Sequence, residues 1–167
     1  AWRRQQPGQK GPSRQGQVIP RDFKEAFVEK VLSIIDVKAL RPLKVVVDTA
    51  NGAAGPMLQE VYRHLPVKLT GMYLEPDGSL PNHGLDPLQP ENRAELQERV
   101  VTEGADVGFA FDGDGDRFFT IDDRGSFISG DFLTAIMASY LLETHPGAKV
   151  IYDARASWAV PDSILAA

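Results

Sequence analysis

Residues Asp112-Gly113-Asp114-Gly115-Asp116-Arg117 bring three carboxylates and a guanidinium together in one short stretch. Carboxylates at i, i+2 and i+4 project to one side of an extended backbone, and they converge if the loop curls. Converging carboxylates repel one another unless a cation sits between them. Gly113 and Gly115 remove the β-carbons that would obstruct a tight curl and allow positive φ. The spacing therefore points to a hard divalent cation held by Asp112, Asp114 and Asp116. Oxygen ligands favour Mg²⁺, Mn²⁺ or Ca²⁺ over zinc or copper, and Mg²⁺ keeps positions open for phosphate and water. Arg117 adds a planar fork suited to a phosphoryl group. The plainer alternative is an acidic surface turn built from good loop residues. Apolar residues on both sides, Val107–Phe111 and Phe118–Ile121, argue instead for a strand exit. For Arg117 alone the plainer alternative is a surface ion pair with a neighbouring aspartate.

Two other loops with similar residues bear comparison. An EF-hand loop needs a glycine at its middle and a glutamate at its end, with helices on both sides. Here those positions hold Arg117 and Asp123, and the upstream segment reads as a strand. A haloacid-dehalogenase-type phosphatase would use Asp112 and Asp114 as nucleophile and acid/base after a strand. That family's usual Thr or Val is replaced here by Asp116, which leaves it a rival of lesser fit.

The elements around this loop follow from periodicity and turn chemistry. Phe23, Phe27, Val31 and Ile34/Ile35 recur at helical spacing among charged residues, which predicts an amphipathic helix with Asp22 as N-cap. Leu43–Val47 reads as a buried strand ending at Asp48, followed by the glycine turn Asn51–Pro56 and a helix over Met57–His64. A second strand is predicted over Val67–Tyr73, then a turn-rich stretch from Glu75 to Gly84, then a helix over Pro90–Glu103. Val107–Phe111 is a third buried strand, running straight into Asp112. Phe118–Asp122 and Phe127–Ile128 are predicted to pair across Asp123-Arg124-Gly125. An apolar helix covers Asp131–Leu142, and Lys149–Tyr152 reads as the start of another strand. Strands alternating with helices predict a three-layer α/β domain, αβα, around a mainly parallel, mixed sheet. In such sheets ligands gather at the carboxyl ends of strands, where Asp112 would sit.

The whole chain sets the remaining bounds. Its 167 residues suffice for one ordinary domain, with 43% hydrophobic and 25% charged residues, as in a globular protein. The net charge of -5 and the lack of a basic cluster beyond the first residues exclude a dedicated nucleic-acid surface. No cysteine is present, which removes disulfides, thiolate metal sites and cysteine nucleophiles and fits a reducing, cytoplasmic setting. No apolar run approaches the roughly 20 residues that span a bilayer, so no membrane role is expected. No sequence feature sets an oligomeric state. Residues 1–20, rich in Gln, Gly, Pro and Arg, read as a flexible linker or appended segment. The chain does not open on Met, which suggests that it was cut from something longer or processed.

With these residues in place, the chain resembles the α-D-phosphohexomutases, particularly phosphomannomutase/phosphoglucomutase, in their second, metal-binding domain. The acidic loop carries the resemblance. Val45–Asp48 through Asn51–Gly55, Glu75–His83, and Gly130-Asp131 ahead of a helix follow in the same order, over about residues 21–167. Leu85 departs from the family, which often has proline there. The resemblance implies a four-domain enzyme in which a phosphoserine passes its phosphate to a hexose monophosphate and recovers one from the bisphosphate intermediate. It also implies that Asp112, Asp114 and Asp116 hold Mg²⁺ against that phosphoserine and that Arg117 steadies the phosphoryl group. Residues 21–147 would then be the metal-binding domain II, and 148–167 the truncated start of a similar domain III, with Arg155 and Ser157 near ligand or simply on the surface. The family's serine is followed by His-Asn-Pro, and no serine here is. The catalytic nucleophile is therefore absent, the sugar-reading loop is absent too, and the chain alone is expected to be inactive toward any hexose phosphate. A stand-alone metal-binding or interaction module is the competing reading.

Two further motifs are weaker. Asn51–Gly55 could cradle phosphate, but it lacks the Lys-Ser/Thr of a P-loop and reads better as a tight turn. His83 could be an acid/base group, although a loop histidine with a structural task is the commoner case.

Overall fold

The computed structural model describes residues 16–167; residues 1–15, most of the expected linker, lie outside the described residues. Five strands, β1 (Leu43–Asp48), β2 (Val67–Met72), β3 (Val107–Phe111), β4 (Phe118–Ile121) and β5 (Phe127–Ile128), form one sheet in the order β2-β1-β3-β4-β5. β1 pairs in parallel with both β2 and β3, with Val46 opposite Thr70 on one side and Gly108 on the other. β3, β4 and β5 continue antiparallel, and Gly125 turns the hairpin from β4 to β5. The αβα architecture with a mixed sheet is therefore as the alternation of elements predicts.

The helices are α1 (Lys24–Leu32), α2 (Gly55–Tyr62), α3 (Pro90–Glu103), α4 (Gly130–Thr144) and α5 (Ala159–Ala166), with a 3-10 turn at Val37–Ala39. From β1 the chain crosses through α2 to β2 on one side, then through α3 to β3 on the other. Crossovers of this kind are right-handed, so reversing direction places α2 and α3 on opposite faces. The reversal also opens a crevice between the carboxyl ends of β1 and β3. Asp48 and Asp112 stand at that crevice.

α3 lies against β1, β3 and β4, and the main core forms where its Leu96 and Val100 meet Val46, Met72, Ala110 and Ile121. Val45 and Val47 point to the other face of β1 and are buried as well, as a central strand requires. Arg93 closes the far edge of the core, its guanidinium 4.2 Å from the Phe127 ring centroid.

Three local expectations need correction. In α1 the buried residue is Val28, whereas Phe23, Phe27 and Ile34 are exposed. α1 packs on α2 at the rim of the domain, so only the side of the helix that carries Val28 is covered. Asp22 does accept the Lys24 amide at 2.9 Å, although Phe23 holds the boundary position. Lys149–Tyr152 forms no strand: it finds no partner in the sheet, and Ile151 is 96% exposed. An apolar run without a partner has no ladder to join. α4 is helical as predicted, but it buries chiefly small residues, Ala135 and Ala138, together with Leu142, and packs on α5.

Candidate metal centre

β3 delivers the acidic loop to the crevice. Asp112 is the first residue beyond the strand and is 2% exposed, while Asp114 and Asp116 are exposed. The loop closes on itself: the Asp112 amide donates to the Arg117 carbonyl at 3.2 Å, and the Gly115 amide donates to the Asp112 carbonyl at 3.1 Å. Gly115 sits at φ 75°, a conformation open to glycine, and a β-carbon there would lie 2.8 Å from that of Ala54. The curl brings one carboxylate oxygen from each of Asp112, Asp114 and Asp116 within 4.8 Å of the others. The three sequence-predicted ligands thus converge.

Arg117 turns back onto the same loop. Its amide donates to Asp112 Oδ1 at 3.1 Å, its Nε and Nη2 each reach Oδ2 at 2.7 Å, and Nε lies 3.5 Å from Asp116. Burial pushes the Asp112 carboxyl up, but the Arg117 amide and guanidinium and the Gly115 amide outweigh it and hold it below the usual carboxylate range. Asp112 Oδ2 is taken up by two guanidinium donors, whereas Oδ1, with one amide donor, keeps a lone pair for a cation, and Arg117 keeps further donors for an oxyanion. An all-oxygen set with an ionised, buried member fits a hard divalent ion. The same geometry weakens the phosphatase alternative, because a carboxylate so buried and so fully bonded is a poor nucleophile.

The loops after β1 and β2 build the opposite wall. Ala50 and Asn51 both take positive φ, 49° and 56°, as does Tyr73 at 52° beyond β2. Such conformations persist only where the surroundings over-determine them, and here they do. Thr49 donates its amide to Met72 O and its hydroxyl to Tyr73 O. The Asn51 amide donates to Tyr73 O, its Nδ2 donates to Glu75 O at 2.8 Å, and its Oδ1 accepts from Asn82 at 2.7 Å. The Gly52 amide donates to Thr49 O at 2.6 Å, and the Ala53 amide donates to Gly113 O at 2.9 Å, tying this turn to the acidic loop. The amides of Asn51, Gly52 and Ala53 are thus engaged with protein carbonyls, which favours a structural turn at this part of Asn51–Gly55.

His83 meets a group that sequence reasoning did not pair with it. Its Nε2 lies 2.9 Å from Asp48 Oδ2, its Nδ1 lies 2.9 Å from Gly84 O, and its ring meets Tyr73 edge-on at 5.3 Å. A carbonyl only accepts, so the Gly84 contact calls for a proton on Nδ1, and the contact of Nε2 with Asp48 Oδ2 calls for a proton shared between them. Burial raises Asp48 above the usual carboxylate range, outweighing the Ala50 amide and His83. Asp48 and His83 stand 35 residues apart, and no local pattern joins them. Arg155 is spent on Asp153, 2.8 Å away on an exposed loop, and its hydrogen bonds hold the Asp153 carboxyl down to about 2.

A mixed-sheet α/β domain with a convergent carboxylate loop at its switch point defines a class, and comparison with known proteins narrows it. The family model described as phosphoglucomutase/phosphomannomutase, alpha/beta/alpha domain II, matches residues 25–125, and the chain belongs to that family. It is 41% identical over 151 residues to a phosphomannomutase of Escherichia coli, covering 87% of this chain and 33% of that protein. It is 43% identical over 138 residues to a protein named phosphohexose mutases from Xanthomonas campestris pv. campestris, covering 83% and 31%. A crystal structure of a phosphoglucomutase/phosphomannomutase family protein from Burkholderia thailandensis superposes with a TM-score of 0.76 at 35% identity, covering 85% of this chain and 31% of that one. The chain spans about a third of the length of the curated relatives it matches. Among the described residues no helix is long and apolar enough to cross a membrane.

Proposed function

We propose that this chain is the metal-holding domain of a phosphohexomutase that interconverts hexose 1-phosphate and hexose 6-phosphate through a phosphoserine and a bisphosphate intermediate. The convergence of Asp112, Asp114 and Asp116 at the crevice between β1 and β3 carries the reading. In this reading residues 21–147 form the metal-binding domain and 148–167 open the next one. Mg²⁺ bound here would offset the negative charge of a phosphoryl group in transfer. The chain's own contribution is positional. Asp112 is held ionised and fixed by Arg117, Asp114 and Asp116 present the outer oxygens, and Arg117 offers its free donors to a phosphoryl oxygen. Mannose, glucose and glucosamine phosphates all stay open as substrates, since the sugar-reading loop lies outside this chain, and the cytoplasm is the proposed setting.

The test is a Mn²⁺ titration of the 167-residue chain followed by electron paramagnetic resonance. Weak binding is expected, and Asp114→Asn should lower it by at least roughly tenfold. Binding indifferent to Asp114→Asn would refute the assignment. In a coupled assay with hexose 1-phosphate the chain alone is expected to show no turnover. Turnover would mean that the nucleophile lies within these residues after all.

A further inference from the structure

Gly113, between the first two carboxylates of the acidic loop, is gripped from two sides. On one side its carbonyl accepts the Ala53 amide at 2.9 Å. On the other, the end of the Leu85 side chain comes so close that a β-carbon on Gly113 would lie 2.7 Å from Leu85 Cδ1. The two jaws belong to different loops, one after β1 and one after β2. Both are anchored on the same buried carboxylate. Asp48 Oδ1 accepts the Ala50 amide at 2.8 Å and so holds the first jaw; Asp48 Oδ2 meets His83 Nε2 at 2.9 Å and so holds the second. The His83 ring passes the restraint on through Nδ1 to Gly84 O, and Asn92 at the start of α3 fixes the same segment by accepting the Gly84 amide at 3.0 Å and donating to Asp86 O at 2.9 Å. Leu85 follows directly.

We propose that Asp48 and His83 are positioning residues for the acidic loop, a two-armed clamp that fixes Gly113 and thereby the spacing of Asp112, Asp114 and Asp116. The proposal rests on reading that loop as a metal site. It assigns a task to a buried carboxylate and a partly buried histidine that are not among the three converging carboxylates and are not needed to close the loop's own hydrogen bonds. It also explains why an ionisable pair is kept beneath the crevice, where burial alone would favour an apolar one. The neighbours facing the pair are Tyr73, edge-on to His83, and Glu95 from α3, close enough to act on the Asp48 charge.

The experiment is the Mn²⁺ titration of the 167-residue chain with four variants, each also melted thermally. His83→Ala should weaken Mn²⁺ binding by roughly tenfold or more, the range for groups that orient ligands without touching the metal. His83→Gln sets an amide nitrogen near the Nε2 position and should recover most of that affinity. Leu85→Ala removes the jaw itself from a partly exposed position and should weaken binding in a chain that stays folded. Val61→Ala, in the buried side of α2, should lower the melting temperature and leave Mn²⁺ affinity alone. Wild-type affinity in a folded His83→Ala chain overturns the clamp and leaves the metal assignment standing. If His83→Ala does not fold, Leu85→Ala decides, and unchanged affinity there overturns the clamp. Equal weakening by Val61→Ala also overturns it, by showing the effect to be generic. A wild-type chain that binds no Mn²⁺ removes the metal assignment and the clamp with it.

Discussion

Replacing Gly52 by alanine tests whether the turn after β1 and the acidic loop are one rigid unit. An added β-carbon would lie 2.6 Å from Gly113 O and 2.9 Å from Thr49 O, both main-chain atoms that no rotamer change can move aside. It falls about 0.4 Å short of the 3.0 Å that real β-carbons respect, so the two loops must part. Two opposing effects set the result. Overfilling a tight site costs about 1–3 kcal/mol. Alanine in place of glycine lowers the entropy of the unfolded chain and returns about 0.4–1 kcal/mol. The steric effect wins, leaving a net loss of about 1–2 kcal/mol. For a chain of this length each kcal/mol lowers the melting temperature by about 2–4 °C, so Gly52→Ala should melt about 2–8 °C below wild type. Far-UV circular dichroism reads the melt. Gly78→Ala, where nothing lies within 4 Å of the new carbon, isolates the entropy effect and should melt at or above wild type. Because Gly113 must move, Gly52→Ala should also weaken Mn²⁺ binding. A Gly52→Ala chain that melts at or above wild type would refute the reasoning.

Leu96 is fully buried between α3 and the sheet, so Leu96→Ala should cost about 2–5 kcal/mol in urea unfolding. Leu88→Ala, at an exposed position, should stay within about 0.5 kcal/mol of wild type. The hydrogen bond to Glu95 pushes the Tyr73 phenol up to about 12, and burial raises Tyr62 as well, so an absorbance titration should show late tyrosines from which Tyr73→Phe removes the component near 12. The unfolded chain gives up the Tyr73 proton near the ordinary value. Stability from this group is therefore present below about pH 10 and is lost as pH rises toward about 12. At the acidic loop, Arg117→Gln removes the guanidinium that opposes burial, and the Asp112 carboxyl should titrate at higher pH in carbon NMR. An unchanged Asp112 titration would show that the backbone amides alone hold it down.

What could be read in the chain was what local chemistry dictates. The apolar run Leu43–Val47 ahead of Asp48, helical spacing in Pro90–Glu103 and the turn at Asp123-Arg124-Gly125 each produced the expected element, because such patterns and turn residues act over a few positions. The convergence of the three aspartates was legible for the same reason: their spacing is short and the glycines between them let the loop curl. Asp48 and His83 were not legible as partners, since only the parallel pairing of β1 and β2 brings the two loops together. The positive φ of Ala50 has no signature in an alanine, being imposed by bonds from Asp48 and the β2 loop. Lys149–Tyr152 misled because apolar residues propose a strand but cannot supply its partner.

The turn after β1 has a consequence for how this protein ages. Asn-Gly is the step at which asparagine cyclises most readily: the following amide nitrogen attacks the side-chain carbonyl, ammonia leaves, and hydrolysis gives aspartate or isoaspartate. In Asn51-Gly52 both reacting groups are held elsewhere. The Gly52 N–H is bonded to Thr49 O, and the Asn51 carboxamide is bound at Nδ2 by Glu75 O and at Oδ1 by Asn82. Deamidation at this step therefore proceeds only while the turn is open. Acidic charge variants that build up on storage would be a chemical clock for local opening beside the acidic loop, running even when the rest of the domain stays folded.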